Sequence, residues 1–505
     1  MIPLTVAQIA DIVGGELSGI SRADAEHTRV TGTVEFDSRA VAGGGLFLAL
    51  PGARSDGHDF AAAAVAAGAV AVLAARPVGV PAIVVPPAEH PDSSSGALEH
   101  DTDGSGAAVL AALGRLAAAV AAELTAGKLR IIGVTGSSGK TSTKDLLAAV
   151  LAPLGRVIAP PGSFNNELGH PWTVLRATAD TDFLILEMSA RHPGNIAALA
   201  AIATPSIGVV LNVGTAHLGE FGSREVIAAT KSELPQSVPA SGVVVLNADD
   251  PAVAAMADVT AARVVRVSRA AGADVWAGPV TLDEVARPRF TLHAGGQEVD
   301  IALAVHGEHQ VSNALAAAAV AIECGATLTQ VADALAGAAP VSARRMQVST
   351  RADGVTVIND AYNANPDSMA AGLKALAWMA RSGGPERRRS WAVLGEMAEL
   401  GEDAITEHDR IGRLAVRLDV SRLIVVGTGR SMSAMHQGAV MEGSWGSESV
   451  LVPDADAALA LLRAELAPGD VVLVKASNSA GLGALADAVA AGEQERADTG
   501  IRPEA

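Results

Sequence analysis

The chain has 505 residues with 37 basic and 55 acidic side chains, which gives a formal charge of −18. Because 49% of the residues are hydrophobic and only 18% are charged, several cores can form, which excludes global disorder and predicts three or four domains. The acidic balance argues against nucleic acid as the main partner, but it allows a nucleotide substrate held by a few local charges.

Cellular location is predicted to be cytoplasmic. A single cysteine, Cys324, excludes an internal disulfide and a cysteine-rich metal site. No basic residue precedes Arg22, so the N-terminus lacks the charged region of a signal peptide. The most apolar run, residues 60–75, is shorter than the ~20 residues that span a bilayer. We therefore expect no membrane span.

The first predicted unit covers residues 1–106. Residues 5–85 combine a short helix with strand-like runs. Residues 88–106 are rich in Ser, Gly, Asp and His and have little to bury, which predicts a flexible insertion. An alanine-rich helix is predicted over residues 107–124, leading into the second unit.

Two further units, 107–340 and 341–492, are predicted from short apolar strands that alternate with helical segments. The predicted strands cover residues 129–135, 183–187, 207–212 and 243–247, and then 355–359, 391–394, 423–427 and 471–475. This alternation is typical of βαβ units, so we expect doubly wound α/β domains with mostly parallel sheets. A frayed tail is predicted over residues 493–505.

The most informative motif is TGSSGKT at residues 135–141, between a strand and a helix predicted over 140–151. Glycines in such a loop let backbone N–H groups approach phosphate oxygens, and the helix N-terminus adds its dipole. Lys140 is expected to neutralise the β- and γ-phosphates, and the Thr141 hydroxyl to hold Mg²⁺. Two residues rather than four separate Gly136 from Gly139, so the general phosphate-loop spacing is not met. The alternative is a Gly-Ser turn that caps a helix; ATP binding is the prediction.

Three further side chains are candidates for the same site. Glu187 closes one predicted strand and His217 follows another, at the sheet edge where α/β proteins bind ligands. Either residue taken alone is more often structural. Lys231 lies on a helix predicted over 224–234, in a chain with six lysines and 31 arginines. A retained lysine is a candidate for chemistry that a guanidinium cannot perform; the alternative is a solvated surface residue.

A polar segment, NDAYNANP at residues 359–366, follows another predicted strand and contains the only tyrosine of the sequence, Tyr362. Turn chemistry alone could explain the segment. Its density of Asn and Asp beside an aromatic ring favours contact with a ribose and a base.

Together these motifs resemble the Mur ligase family, the ATP-dependent amide-bond-forming enzymes of peptidoglycan precursor synthesis. The short loop 135–141 has the form found in that family. Other matching segments are 37–39 (DSR), 45–47 (GLF) and 56–60 (DGHDF) of the UDP-holding first domain, 162–169 (GSFNNELG) of the substrate loop, and 212–217, 247–251 and 309–316. Residues 359–366 and 394–401 (LGEMAELG) are similar to the member that adds D-alanyl-D-alanine. The resemblance spans the whole chain except residues 88–106 and the tail.

The resemblance implies an α/β protein of three domains. These are a small α/β UDP-binding domain (1–106), a central P-loop-type ATPase domain with a mostly parallel sheet (107–340), and a Rossmann-like C-terminal ligase domain (341–492). The implied activity is ATP-dependent addition of D-alanyl-D-alanine to UDP-N-acetylmuramoyl-tripeptide through an acyl phosphate, by a monomer that uses Mg²⁺.

The resemblance also implies roles for individual residues. Catalytic roles are implied for Lys140, His217, Lys231 and Arg345. ATP binding is implied for Thr135, Gly136, Ser137, Ser138, Gly139, Lys140, Thr141, Ser142, Asn313, Arg345, Asp360, Tyr362 and Asn363. Substrate binding is implied for Ser38, Arg39, Asn165, Asn166 and Asn365. Metal binding is implied for Thr141, Glu187, His217 and Lys231, the last as a carbamate formed with CO₂.

Two positions depart from the family pattern. Ser189 stands where a glycine is usual, and residues 475–478 read KASN where KGSR is expected. Asn478 is therefore not assigned the role of a substrate-binding arginine. Two other readings remain, a folylpolyglutamate synthetase-like ligase, which lacks the UDP module, and a P-loop ATPase that converts hydrolysis into movement.

Overall fold

Most of the chain is described by a computed structural model, namely residues 1–53, 55–87, 98–214, 218–339, 341–382, 387–443 and 448–492. His217, most of the predicted insertion and the predicted tail lie outside these residues.

The N-terminal unit is a five-stranded sheet with short helices. Its elements are β1 (Leu4–Thr5), α1 (Val6–Val13), β2 (Glu16–Ser18), α2 (Arg22–His27), β3 (Arg29–Val30), β4 (Val34–Glu35), β5 (Gly45–Leu48), α3 (Ala61–Ala66), β6 (Ala69–Ala74) and β7 (Ala82–Val84). The sheet order is β2-β7-β6-β5-β4, and all pairs except β2-β7 are parallel. Helix α1 begins in a capping box between Thr5 and Gln8 and ends at Gly14, whose φ of 63° is left-handed.

A long helix, α4 (Ser105–Thr125), joins the N-terminal and central units. It begins two residues before the predicted start, and Leu98 packs against the same core. By length and composition α4 could cross a membrane, but 67% of its apolar window is buried inside the structure. This burial is typical of a core helix.

The central unit contains a ten-stranded sheet. Its strands are β8 (Arg130–Thr135), β9 (Val157–Ile158), β10 (Phe183–Glu187), β11 (Ile207–Val210), β12 (Val243–Asn247), β13 (Arg263–Ser268), β14 (Val275–Ala277), β15 (Thr281–Leu282), β16 (Pro288–Ala294) and β17 (Gln297–Ala302). Its helices are α5 (Lys140–Leu151), α6 (Gly169–Val174), α7 (Asn195–Ile202), α8 (Leu218–Phe221), α9 (Arg224–Ser237), α10 (Pro251–Ala254), α11 (Gln310–Glu323) and α12 (Leu328–Gly337).

Strands β9-β10-β8-β11-β12-β13-β14 run parallel, and β16 continues the sheet with antiparallel neighbours β14, β15 and β17. This antiparallel extension was not predicted from the sequence. A signal for it was present, because Gly295 and Gly296 join β16 to β17 with φ of 57° and 76°, as a tight hairpin requires. Helix α9 also extends three residues beyond its predicted end, through Pro235.

The C-terminal unit has a six-stranded sheet of order β18-β19-β23-β20-β21-β22, parallel except for β18. Its elements are β18 (Gln347–Thr350), β19 (Thr356–Asn359), α13 (Pro366–Ser382), β20 (Ser390–Leu394), α14 (Ala404–Arg417), β21 (Arg422–Val426), α15 (Arg430–Glu442), β22 (Ser449–Val452), α16 (Ala455–Glu465), β23 (Val471–Lys475) and α17 (Leu482–Ala491). Three α/β units with mostly parallel sheets confirm the predicted fold class.

Candidate active site

A cavity of about 510 Å³ lies between the central and C-terminal units, at the carboxyl ends of their parallel strands. It is lined by Ser137, Ser138, Gly139, Lys140, Thr141, Ser142, Asn165, Asn166, Asn313, Arg345, Asp360, Tyr362, Asn363 and Asn365, among others. Most of the residues singled out from the sequence are therefore brought together here.

The phosphate loop forms one wall of the cavity. Gly139 precedes α5 with a φ of 83°, and a Cβ there would lie 2.6 Å from Asn313 Oδ1, so the loop requires glycine at this point. Asn212 holds the loop by accepting from the Ser138 N–H at 2.9 Å and donating to the Ser138 carbonyl at 3.2 Å. The free N–H groups at the start of α5 therefore face the cavity in a fixed arrangement suited to phosphate.

Lys140 is folded onto its own loop. Its Nζ donates to the Gly136 carbonyl at 2.7 Å. Burial lowers the Lys140 pKa to about 8, against the opposing attraction of Glu187. A bound phosphate group would place a negative charge beside this ammonium, so Lys140 fits an anion-binding role.

A cluster of oxygen atoms lies behind the loop. Glu187 Oε2 lies 3.2 Å from Thr141 Oγ1 and 3.3 Å from Ser163 Oγ, and Asn165 Nδ2 approaches it at 3.5 Å. Burial raises the Glu187 pKa, and its second oxygen, Oε1, is buried with no hydrogen-bond partner among the described residues. A buried carboxylate oxygen without a partner is costly unless a cation binds it.

These donors suit a hard cation. A carboxylate and two hydroxyl oxygens are ligands that Mg²⁺ prefers, and Mg²⁺ commonly takes its remaining ligands from phosphate and water. Within the described ranges, no group of three or more His, Cys, Asp or Glu side chains could hold a metal ion. Glu187 with Thr141 and Ser163 therefore fits Mg²⁺ bound together with a nucleotide.

Lys231 lies on α9 and is almost fully buried, outside the lining of the cavity. Burial lowers its pKa to about 7, and the charge of Lys140 contributes to the same shift. No residue in the described part of the chain forms a hydrogen bond or an ion pair with its amine. The surface alternative weighed from the sequence is therefore wrong.

Arg345 enters the cavity from the C-terminal unit on a strained corner. The residues on either side, Arg344 and Met346, have φ of 59° and 48°, in the left-handed region that non-glycine residues rarely adopt. The Arg345 guanidinium lies 4.2 Å over the Tyr362 ring and donates to Thr141 Oγ1 at 3.4 Å. Cation–π contact with the tyrosine thus orients this charge toward the phosphate loop.

A buried ion pair holds the corner in place. Asp360 accepts from the Met346 N–H at 3.0 Å and from Lys475 Nζ at 2.6 Å, and Lys475 also donates to the Asn363 carbonyl at 2.9 Å. The polar segment after β19 therefore positions Arg345. The sequence favoured contact of Tyr362 with a base, whereas in the structure its ring lies under the Arg345 guanidinium.

The substrate loop is attached to the N-terminal unit by aromatic rings. Phe164 and Trp172 lie 4.8 Å apart, Phe36 lies 5.8 Å from Trp172, and Trp172 Nε1 donates to the Val34 carbonyl at 2.8 Å. Ser189, at the position of the family glycine, holds Asn165 through contacts of 2.9 and 3.0 Å. The loop is thus held at both units.

Several predicted site residues have other contacts or lie elsewhere. Ser38 and Arg39 do not line the cavity, and Arg39 is exposed and paired with Asp37 at 2.7 Å. Thr135 is buried and donates to the Met188 carbonyl at 2.9 Å, and Asn365 caps α13 by accepting from the Ser368 N–H at 2.9 Å.

Several residues of the cavity were not predicted from the sequence, among them Ser163 and Arg191. Ser163 was part of the quoted substrate loop, but only tertiary contact joins it to Glu187. Arg191 follows β10 and donates to Glu399 of the C-terminal unit at 3.0 Å, and no sequence pattern indicated this pair. Close by, Gly219 and Gly401 approach so closely that a Cβ on Gly219 would lie 2.5 Å from the Gly401 nitrogen.

Comparison with known families gives three matches along the chain. Residues 32–120 match the Mur ligase family catalytic domain, residues 134–321 the Mur ligase middle domain, and residues 344–478 the Mur ligase glutamate ligase domain.

Comparison with individual proteins agrees with these family matches. The chain is 76% identical over 503 residues to the UDP-N-acetylmuramoyl-tripeptide–D-alanyl-D-alanine ligase of Mycobacterium tuberculosis, covering 97% of this chain and 98% of the relative. It is similar to the crystal structure of MurF from Acinetobacter baumannii, with a TM-score of 0.78, 28% identity and coverage of 96% and 98%. It is also similar to the crystal structure of MurF from Thermotoga maritima in complex with ADP, with a TM-score of 0.71 and 27% identity. That match covers 91% of this chain and 97% of the other.

Proposed function

The chain belongs to the Mur ligase family, and we propose that it adds D-alanyl-D-alanine to UDP-N-acetylmuramoyl-tripeptide in peptidoglycan precursor synthesis. Members of this family use ATP with Mg²⁺. The observation that carries the proposal is the cavity in which the phosphate loop of the central unit faces Arg345 and the polar segment of the C-terminal unit. The 76% identity to a ligase of this specificity over nearly the whole chain supports the same substrates.

The reaction proceeds in two steps. A carboxylate oxygen of the tripeptide attacks the γ-phosphorus of ATP, forming an acyl phosphate and releasing ADP. The amine of D-alanyl-D-alanine then attacks the carbonyl carbon, loses a proton and expels inorganic phosphate as the amide forms. ATP is needed because oxide is a poor leaving group, whereas phosphate is a good one.

Catalysis by the chain consists mainly of positioning and charge neutralisation. Lys140 and the N–H groups of its loop would bind the phosphates, and Arg345, oriented by Tyr362, would neutralise charge on the transferred group. Glu187 and Thr141, with Ser163, would hold Mg²⁺, which neutralises phosphate charge when bound. Asn313, packed against Gly139, would contact the adenine.

Lys231 is proposed to carry CO₂ as a carbamate. CO₂ adds only to a neutral amine, and burial favours that form of Lys231. The amine nitrogen bonds to the CO₂ carbon and loses a proton, and the product would be a carboxylate-like oxygen ligand. His217 is proposed to share a second Mg²⁺ with it. Arginine cannot form the adduct, so the lysine is required.

Recognition of the UDP group is assigned to the N-terminal unit, and recognition of the tripeptide and the dipeptide to the cavity. Ser38 and Arg39 on the N-terminal unit would contact the UDP group, and Phe36 links them to the substrate loop. Asn165 and Asn166 would contact the tripeptide, and Asn365 the incoming dipeptide. We propose that the protein acts as a cytoplasmic monomer.

Phosphate release tests the proposed function. The purified chain with ATP and Mg²⁺ should release phosphate only when UDP-N-acetylmuramoyl-tripeptide and D-alanyl-D-alanine are both present. A panel of dipeptides and single amino acids distinguishes this ligase from a folylpolyglutamate synthetase-like ligase. Release in the absence of the dipeptide would instead favour a P-loop ATPase that couples hydrolysis to movement.

A further inference from the structure

Lys144 is a buried lysine that none of the proposed steps uses. It lies on α5 one turn after Lys140, with a side chain only 1% exposed. Its Nζ lies 2.6 Å from Asp145 Oδ1, 2.9 Å from the Pro160 carbonyl and 3.1 Å from Ser342 Oγ. A lysine in this helix position would ordinarily be solvated, so its burial needs a reason.

The three acceptors come from different parts of the chain. Asp145 belongs to the phosphate-loop helix, and Pro160 lies two residues before the substrate loop. Ser342 belongs to the segment that leads from α12 in the central unit to β18 in the C-terminal unit. Asp145 also accepts from the Ser342 N–H at 3.1 Å, so Ser342 is held through both its backbone and its side chain.

The chemistry of the site explains why the residue is a lysine. An ammonium group has three N–H donors pointing in tetrahedral directions, and all three have an acceptor here. The planar fork of an arginine is larger and directs its donors differently, so it does not satisfy the same three positions. The sequence otherwise uses arginine far more than lysine, 31 against six.

Ser342 lies three residues before Arg345. Arg344 pairs with Asp487 of the C-terminal unit at 2.9 Å, so the connecting segment is held at one end by α5 and at the other by α17. Arg345 directly follows Arg344 and reaches Thr141, the second residue of α5. Fixing Ser342 on α5 therefore fixes the distance from which Arg345 approaches the phosphate loop.

We propose that Lys144 is a positioning residue for Arg345, acting through Ser342. This inference rests on the proposed ligase function. Lys144 does not line the cavity, and its side chain contacts the connecting segment at Ser342. Burial raises the pKa of Glu187 and the charge of Lys144 opposes that shift, so the Ser342 contact has to be tested separately from the charge. The contact also couples the two units, because the same helix that binds phosphate holds the start of the C-terminal unit.

The first test compares Lys144→Met and Lys144→Arg with Lys374→Met, which removes an exposed lysine on α13. Both Lys144 variants should lower kcat about 100-fold, as expected when a reacting group is misplaced, while KM for ATP changes less than about threefold. Lys374→Met should leave both constants unchanged. Normal kcat in Lys144→Arg would overturn the proposal, since charge alone would then suffice.

The second test combines Ser342→Ala with Arg345→Ala. Ser342→Ala is a mild change, so it keeps the proposal testable if Lys144→Met does not fold. Ser342→Ala should lower kcat about tenfold in the wild type but less than about threefold in the Arg345→Ala background. An undiminished loss in that background would mean that Ser342 acts independently of Arg345 and would overturn the proposal. If the wild type itself releases no phosphate with both substrates, the proposed function fails instead.

Discussion

Replacing Lys231 by methionine should make the protein more stable and inactive at the same time. The amine is buried, no described residue forms a hydrogen bond or ion pair with it, and its pKa is lowered from 10.5 to about 7. Each pKa unit corresponds to about 1.4 kcal/mol, so holding the protonated form in the folded protein costs roughly 5 kcal/mol. Methionine has a similar length and removes this cost.

The effect depends on pH in a defined direction. Between about pH 7 and 10.5 the unfolded chain binds a proton at Lys231 that the folded chain does not, so wild-type stability rises with pH across this window. Below pH 7 both states are protonated and the full cost remains. The advantage of Lys231→Met should therefore be largest below pH 7 and should shrink as the pH approaches 10.

Calorimetric unfolding in CO₂-free buffer at pH 6.5 and pH 9 measures this difference. The melting temperature of Lys231→Met should exceed that of the wild type at pH 6.5, with a smaller gap at pH 9, and Lys374→Met serves as the exposed-lysine control. An equal gap at both pH values would refute the reasoning, because the amine would then not titrate as its burial requires.

Activity assays address the carbamate on Lys231. At pH 8 an amine with a pKa of about 7 is roughly nine-tenths neutral, against less than about 1% for an ordinary lysine. Lys231→Arg should be nearly inactive although it retains the charge. Lys231→Ala should regain part of its activity with added formate or acetate. Near-normal rates in Lys231→Arg would exclude the adduct.

Three further outcomes are expected. Lys140→Ala should abolish phosphate release without lowering the melting temperature, because burial lowers the pKa of this amine to about 8 and its hydrogen bond is to the carbonyl of its own loop; residual activity above a few per cent would contradict the phosphate assignment. Tyr362→Ala should lower kcat about three- to thirtyfold by removing the ring beneath Arg345, whereas Tyr362→Phe should retain activity; equal losses would exclude cation–π contact as the cause. Gly219→Ala should lower kcat because its Cβ would lie 2.5 Å from the Gly401 backbone. In small-angle scattering the wild type should become more compact when an ATP analogue and the tripeptide substrate bind, and this variant should become less compact than the wild type does.

Much of the fold could be predicted from local patterns. Strands such as Phe183–Glu187 and Val471–Lys475 are apolar runs bounded by polar residues, and they occur with the predicted bounds. Helix α5 likewise begins and ends as predicted, because the glycine before it and the Lys-Thr pair at its start define its N-terminus locally. The antiparallel strands β15–β17 were not predicted because they lie outside the βαβ alternation, and their local signal is the Gly295-Gly296 pair between β16 and β17.

The phosphate loop and the polar strand ends were also readable from the sequence, since backbone conformation and strand direction determine them within a few residues. The sequence could not determine which side chains from distant segments meet. Tyr362 lies beneath Arg345, Ser163 joins Glu187, and Lys144 is buried among three acceptors, although as a residue it resembles a surface lysine. Such contacts join residues far apart in the chain, 198 positions for Lys144 and Ser342, so they exist only once the units have packed against each other. Burial and neighbouring charges determine the pKa and the contacts of a lysine, and both result from that packing and not from the residue type.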